Sequence, residues 1–531
     1  MSRKRRRPLT LLATLALCAP TAHLRAAPEP PSAAIRPAAN RLDELAEAIT
    51  SLRLDRAERL LAELPTGDAD RPTALYQQAR LLFHRGLYAD AVAVGERAVQ
   101  GASGRQRERY AELLELMRAS QQVTADYTRL ASDDGRYVVL HPPGKDEVLA
   151  PYALEVLRSA DQALTDIFGV KLPGPLRLEI YPGPEVLARV STLTVEQIET
   201  TGTVALSKWN RLMVTSPKAL VRGYPWADTV THELVHMMLS YVSGERAPVW
   251  LQEGTAKLFE RAWRKHGAGL LLDPASRQML GEAARDGKLL TFEQMHPSIA
   301  MLPSEDDAAL AFAQVSTFME QYVERHGQQA LRDAFARIEA GTDARDALAE
   351  AAGEPFARME REWKTTLPKI EGGDLHRLKR RFKVGDGPAD ETEEVEESEA
   401  RRFMRLGDLL WDRGRIGAAA REYEKASSAD PLDPIVAARW GRAALQAGDP
   451  AGAVRALAPQ RERYPGHAPT HAVLGAAYVE LGRLADARGP LREAIWINPF
   501  DPAPHCGLAR ATDDASERQR EARACQRLSG R

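Results

Sequence analysis

Three side chains near the middle of the chain could hold a metal ion. His232-Glu233-Leu234-Val235-His236 is an H-E-x-x-H run, and on a helix of 3.6 residues per turn positions i and i+4 share one face. Both imidazoles can then meet one divalent ion, with Glu233 beside it. Further on, Trp250-Leu251-Gln252-Glu253-Gly254-Thr255-Ala256 reads as a second helix, set off by Gly244 and Pro248 in the intervening loop. Glu253 falls early on that helix among apolar Trp250, Leu251, Ala256 and Leu258, able to face the first helix as a third ligand. Two His and one Glu with a fourth position left to water suit zinc. Water so bound has a pKa near 7, and Glu233 is placed to take its proton as it attacks a carbonyl. The plainer reading is two incidental histidines and a surface glutamate. With twelve His in 531 residues, a chance five-residue match is improbable.

The combination of H-E-x-x-H with W-L-Q-E-G resembles the gluzincin metallopeptidases, in particular bacterial peptidase MA-like domains related to the aminopeptidase-N and thermolysin groups. The likeness spans about Tyr137 to Pro368. It implies a thermolysin- or aminopeptidase-like domain of mixed sheet plus helices, with His232, His236 and Glu253 as zinc ligands and Glu233 as general base. The sequence departs from that pattern in two places. Where related domains read Y-A-Q-S, this chain has Phe312-Ala313-Gln314-Val315-Ser316, so Phe312 stands where an oxyanion-stabilising Tyr is expected. Losing one such donor costs about 10²–10³ in rate, and Tyr322, Tyr224 and His326 are substitutes without the expected spacing. The thermolysin-type Asp four residues after the ligand Glu is also missing, and Lys257 is there.

The elements around these residues alternate strand and helix. Strands are expected at Tyr137–Leu140, Leu176–Tyr181, Thr203–Leu206 and Leu212–Thr215, the last two joined by a turn at Trp209-Asn210, with a helix over Tyr152–Phe168. Leu176–Tyr181 is apolar on alternate positions, as a half-buried strand should be. In the resembled family the strand nearest the metal takes substrate backbone as an extra strand. Thr203, Val204 and Ala205 are the candidates here, against an ordinary core hairpin. From Trp250 to Leu367 the pattern is helical, with Gly327 as a stop after Leu310.

On this reading the chain is a multidomain α+β protein with all-α helical-repeat flanks. It divides into a signal peptide (1–27), a Pro/Ala-rich tether (28–40), a helical region resembling tetratricopeptide repeats (41–125), the peptidase-like domain (126–370), a charged linker (371–400) and a repeat region (401–531). In the first helical region Ala57 and Ala91 stand 34 apart, though a simple helical hairpin fits as well. The linker carries a basic block (Arg377, Lys379, Arg380, Arg381, Lys383) followed by an acidic one from Asp386 to Glu399, a composition that favours a solvated, mobile segment. The last region repeats every 34 residues: Gly407, Gly441, Gly475; Gly414, Gly448, Gly482; Ala419, Ala453, Ala487; Pro431, Pro465, Pro499. Three tetratricopeptide-like units plus a capping helix near Pro504–Arg518 are expected, presenting a protein- or peptide-binding groove or serving only as a brace.

Net charge is −2, from 72 basic and 74 acidic side chains, so no global field argues for nucleic acid or an anionic membrane. Arg3–Arg7 followed by apolar Leu11–Cys18 and small residues at Ala22–Ala27 reads as an export signal, too short for a membrane span. Periplasm or cell envelope is the expected destination. A lipid anchor on Cys18 is disfavoured by Leu17 before it. Cys506 and Cys525 either bridge two terminal helices or remain free thiols. The reading that follows is an exported zinc metallopeptidase whose repeats recruit a protein partner or substrate, with no nucleic acid and no membrane span in the mature chain. The rivals are a scaffold protein with a zinc-binding but slow or inactive peptidase-like domain, and a non-peptide hydrolase.

Overall fold

The computed structural model describes residues 38–264, 269–370, 375, 378, 380–383, 395 and 398–530. The expected signal peptide and most of the tether and charged linker lie outside them, although a helix, Ala38–Thr50, already begins within the stretch read as tether. Among the described residues no helix is long and apolar enough to cross a membrane.

The middle of the chain forms a five-stranded mixed sheet. Its strands are β1 (Thr128–Ala131), β2 (Tyr137–His141), β3 (Leu176–Tyr181), β4 (Ala205–Lys208) and β5 (Arg211–Thr215), in the spatial order β1-β2-β3-β5-β4. β2, β3 and β5 run parallel, whereas β1 and β4 pair antiparallel at the two edges. β1 was not expected; its Thr-Arg-Leu-Ala run is half polar and too short to show alternation. β4 starts two residues later than the sequence suggests: Thr203 N still donates back to Ile198 O of the short helix Val195–Thr201, and Val204 makes only the first bond to β5, through its carbonyl. Of the three candidate substrate-binding residues, only Ala205 lies in the strand. The β4–β5 hairpin has a two-residue turn with Trp209 and Asn210 both at φ 55°, the primed turn whose twist matches paired strands.

Both faces of the sheet are covered. On one, Leu176, Leu178 and Ile180 of β3 meet α1 (Leu149–Phe168) and α2 (Trp226–Ser243) in the main core. On the other, Arg177, Glu179 and Tyr181 are equally buried, so β3 is not the half-exposed strand its alternation implies. A charge network fills that side. Arg211 Nη1 lies 2.9 Å from Glu179 Oε2 and Arg177 Nε 3.0 Å from Glu179 Oε1. Tyr181 donates to the same carboxylate at 2.5 Å and Tyr88, from the N-terminal helices, donates to it too. Arg211 also donates to Ser120 Oγ and Val190 O. The N-terminal helices are therefore fastened to the sheet through a desolvated, fully partnered carboxylate.

The C-terminal region is a stack of antiparallel helix pairs: Glu399–Asp412 with Ile416–Ala429, Pro434–Gln446 with Pro450–Arg463, Ala468–Glu480 with α5 (Leu484–Ile497), and α6 (Pro502–Ala511) with α7 (Ala515–Leu528). The 34-residue glycines have separate reasons. A Cβ on Gly407, Gly441 or Gly475 would come within 2.5, 2.5 and 2.6 Å of Tyr423, Leu457 and Leu491 on the paired helix, so close helix approach excludes a side chain. Gly414, Gly448 and Gly482 take positive φ in the turns. The end of the array is a full fourth pair rather than one capping helix, and Cys506 and Cys525 bridge its two helices, with Cα atoms 5.0 Å apart. The repeat pattern hid this pair because position 521, in register with Ala419, Ala453 and Ala487, holds Glu521. Its buried carboxylate accepts from Tyr152 of α1 at 2.8 Å and lies 2.6 Å from His505 Nδ1.

The array is docked, not tethered. Trp226 Nε1 donates to Ile495 O at 3.2 Å and Tyr224 N to Ile497 O at 3.0 Å. Trp496 of α5 packs against Trp226 and Trp263 with ring centroids 5.6 and 4.7 Å away. Arg264 spans Asp228 and Glu493. Gly223, at φ 71°, has no room for a Cβ, which would lie 2.3 Å from Ile497 O. Residues 380–383 of the charged linker are docked as well: Val221 N donates to Arg381 O, Lys383 N to Ala219 O, and Phe382 bridges to Leu220.

Burial pushes the Glu179 carboxyl up, but Arg211 and then Arg177 outweigh it and hold the group below the ordinary glutamate range. Its contribution to stability is thus complete above the unfolded value of about 4.3 and is lost as pH falls through the lower folded value. Arg211→Met leaves the carboxylate short of a cation. We expect it to lower the unfolding free energy by about 3–5 kcal/mol, read from the denaturant midpoint at neutral pH. An unchanged midpoint would show that the network contributes nothing.

Candidate metal centre

α2 carries the two histidines because its faces differ. Val230, Leu234, Met237 and Met238 are buried, while His232 and His236 stand half-buried, each 17 % exposed at the side chain. The helix ends at Gly244 in the left-handed conformation, and the following turn reverses the chain into α3 (Val249–Phe259). Glu253 is thereby brought against α2. Its neighbour Gly254 lets α3 lie close to α4 (Glu305–Glu339), since a Cβ there would stand 2.6 Å from Val315 O. That contact accounts for the glycine of W-L-Q-E-G.

The three expected ligands converge. His232 Nε2 and His236 Nε2 are 3.2 Å apart, and Glu253 Oε2 lies 3.4 and 3.5 Å from them. Ligand atoms held about 2.0–2.1 Å from a tetrahedral zinc are about 3.3–3.4 Å from each other, so this triangle has the size and donor types of a two-His, one-carboxylate zinc site. Among the described residues it is the one group of three such side chains close enough to share an ion.

The three groups perturb one another strongly. The Glu253 carboxyl is pushed up by burial but held far below its usual range by His236 and His232. Burial disfavours the charged form of His232, yet Glu253 and Glu260 raise its pKa to about 10. His236 is raised likewise, with Glu253 overcoming burial. Glu233 behaves differently: burial raises its pKa and the two imidazoles offset only part of this. It is therefore a carboxylate with increased proton affinity beside the two imidazoles.

Glu260 is the residue sequence reading missed. Its Oε2 lies 3.4 Å from His232 Nδ1 and its Oε1 2.5 Å from Lys257 Nζ. Burial opposes its charge, but Lys257 and His232 bring its pKa down to about 2. Lys257 occupies the position four residues after Glu253; the acid stands seven residues on instead, which is two helical turns and the same face. Lys257 pins it.

Of the substitutes for Phe312, none offers a free donor. The Tyr322 hydroxyl donates to Leu348 O at 3.1 Å and His326 faces Glu354 at 3.5 Å. The Tyr224 hydroxyl donates to Thr215 O at 2.5 Å, although Tyr224 does lie within electrostatic reach of Glu233. Phe312 itself is 38 % exposed on α4. β4 is an edge strand, and its register with β5 decides which backbone groups are free. Thr215 N donates to Val204 O, and Ala205 and Ser207 sit opposite Val214 and Leu212. Val204, Leu206 and Lys208 therefore turn their N–H and C=O inward to β5, while those of Ala205 and Ser207 point away. The Ser207 N–H meets the Glu233 carboxylate.

Comparison with known proteins agrees with this arrangement. Residues 159–369 match the family model described as the Peptidase MA superfamily, and residues 444–510 match that of the tetratricopeptide repeat. The chain carries a peptidase MA-like domain flanked by tetratricopeptide-like helical repeats. No curated protein matches it. Among solved structures, native yeast LTA4 hydrolase is similar at 12 % identity and a TM-score of 0.29, covering 76 % of this chain and 67 % of that one. The APC/C hetero-tetramer Cut9-Hcn1 is similar at 13 % identity and a TM-score of 0.20, covering 91 % of this chain and 96 % of that one. Likenesses this loose say nothing further about the chain.

Glu260→Gln keeps the shape but removes the charge behind His232. A loss of about 10- to 100-fold in zinc affinity is expected, measured by competition with a chromogenic chelator. Unchanged affinity would make Glu260 a mere partner of Lys257.

Proposed function

We propose that this protein is an exported, zinc-dependent metallopeptidase. The observation that carries the proposal is the triangle of His232 Nε2, His236 Nε2 and Glu253 Oε2, with all sides between 3.2 and 3.5 Å and Glu233 alongside. Zinc bound there would acidify a water and polarise a peptide carbonyl. Glu233 accepts the proton given up in the attack and returns it to the departing amine, a role favoured by its raised proton affinity. Glu260 fixes the tautomer and tilt of His232 through Nδ1. The outward N–H and C=O of Ala205 and the outward C=O of Ser207 align an extended peptide as an added strand. Export is supported by the basic and apolar run of Arg3–Cys18 and by the Cys506–Cys525 bridge, which suits an oxidising compartment. The repeats are of a class that engages other proteins.

A second reading, a scaffold whose metal site turns over slowly, is favoured by Phe312 and by the committed hydroxyls of Tyr224 and Tyr322. Zinc content and cleavage of a broad peptide library separate the two. Glu233→Gln should keep its metal and lose about 10²–10⁴ in rate, while His232→Ala should lose the metal. Phe312→Tyr should raise the rate if a hydroxyl is what the site lacks. Equal inactivity of wild type and Glu233→Gln would establish the scaffold.

A further inference from the structure

The docked linker puts an arginine next to the start of the edge strand β4. Residues 380–383 lie against Ala219–Val221 through the two backbone hydrogen bonds and the Phe382–Leu220 bridge already described. Phe382 is half-buried between the main core and the cluster around Tyr181 and Ile198, which fixes the register of the strap. Arg380 is thereby set against Gly202, whose added Cβ would lie 3.3 Å from Arg380 Cβ. Gly202 ends the helix before β4. The residue is exposed, and the Glu260 carboxylate and the neutral Tyr224 hydroxyl lie within electrostatic reach of it. Tyr224 in turn faces Glu233. Among the described residues the guanidinium has no hydrogen-bond or ion-pair partner. It is an exposed cation beside the elements that carry the metal centre, with its fork free.

The direction of a bound peptide follows. Ser207 meets Glu233, which marks the position of the scissile bond, and Gly202 precedes Ser207 along the chain by an extended path of at most about 16 Å. A peptide added antiparallel to β4 runs from the Lys208 end towards the Gly202 end, so its C-terminal portion reaches Arg380. A parallel peptide would bring its N-terminal ammonium there instead, against a like charge. Guanidinium binds carboxylate through two parallel hydrogen bonds, which suits the first arrangement and penalises the second.

We propose that Arg380 is the carboxylate receptor for substrate, taking the C-terminal carboxylate of a peptide, or an acidic side chain close to it, laid antiparallel on the free edge of β4. The assignment rests on the peptidase reading and narrows it to peptides carrying negative charge a few residues after the cleaved bond. It also makes the interdomain linker part of the site.

The test uses the full-length zinc-loaded protein and three versions of one cleavable peptide: free acid, C-terminal amide, and amide with an Asp as its last residue. Wild type should prefer the free acid or the Asp amide over the plain amide by about 10- to 100-fold in kcat/KM, the value of a charge-assisted hydrogen bond pair, and the difference should lie in KM. Which of the two charged peptides is preferred tells terminus from side chain. In Arg380→Gln the preference should collapse to about one, and Arg380→Lys should restore part of it. Equal cleavage of all three peptides by wild type overturns the assignment alone, as does an Arg380→Gln protein that keeps the preference or cleaves every version faster. No cleavage of any peptide overturns the peptidase reading and the assignment together.

Discussion

Two imidazole nitrogens and a carboxylate oxygen crowd into one small triangle, and neither helix that carries them can fix that triangle alone. α2 sets the spacing of the histidines, but the third corner depends on how closely α3 approaches. That approach is a steric matter, settled by Gly254 against the backbone of α4 and by the short reversal after Gly244. Glu260 then ties the far side of His232 to the same helix that supplies Glu253. The centre is a product of the packing of α2, α3 and α4, and the sheet gives these helices a rigid floor.

That floor owes its rigidity to an unusual core. One face of β3 is held by aliphatic contact, the other by a carboxylate with no exposure to solvent, surrounded by Arg211, Arg177, Tyr88 and Tyr181. A network of this kind adds little net free energy over apolar packing but tolerates no missing member. It ties the docking of the N-terminal helices to the sheet through the Tyr88 hydroxyl on Glu179 and the Arg211 bond to Ser120.

Much of the site was legible because its determinants are local. H-E-x-x-H works through helical spacing, and the glutamate of W-L-Q-E-G follows after a loop marked by Gly and Pro. The 34-residue glycines and alanines likewise report close contacts that recur within each pair. What escaped reading depends on tertiary partners. The polar side of β3 looks solvent-facing until Arg211 and Tyr88 are seen above it. Glu260 becomes an orienting group only because His232 Nδ1 points at it. The start of β4 slipped by two residues because the N–H of Thr203 is still held by the preceding helix, at Ile198 O. The fourth helix pair was concealed by a glutamate at a position where the earlier pairs hold alanine, and the docking of residues 380–383 by a charge density that ordinarily signals solvation.

The seam between α5 and the first turn of α2, closed by Trp226, Trp263 and Trp496, has a mechanical meaning. Repeats on a flexible leash raise the local concentration of whatever they bind without choosing its pose, and that gain falls as the leash lengthens. Here the third and fourth helix pairs pack directly on the metal-site domain, so the repeat stack and the metal centre share one frame. A guest held by the stack would be offered to the metal centre like work clamped in a jig. Its reach and orientation would then select which of its segments is presented.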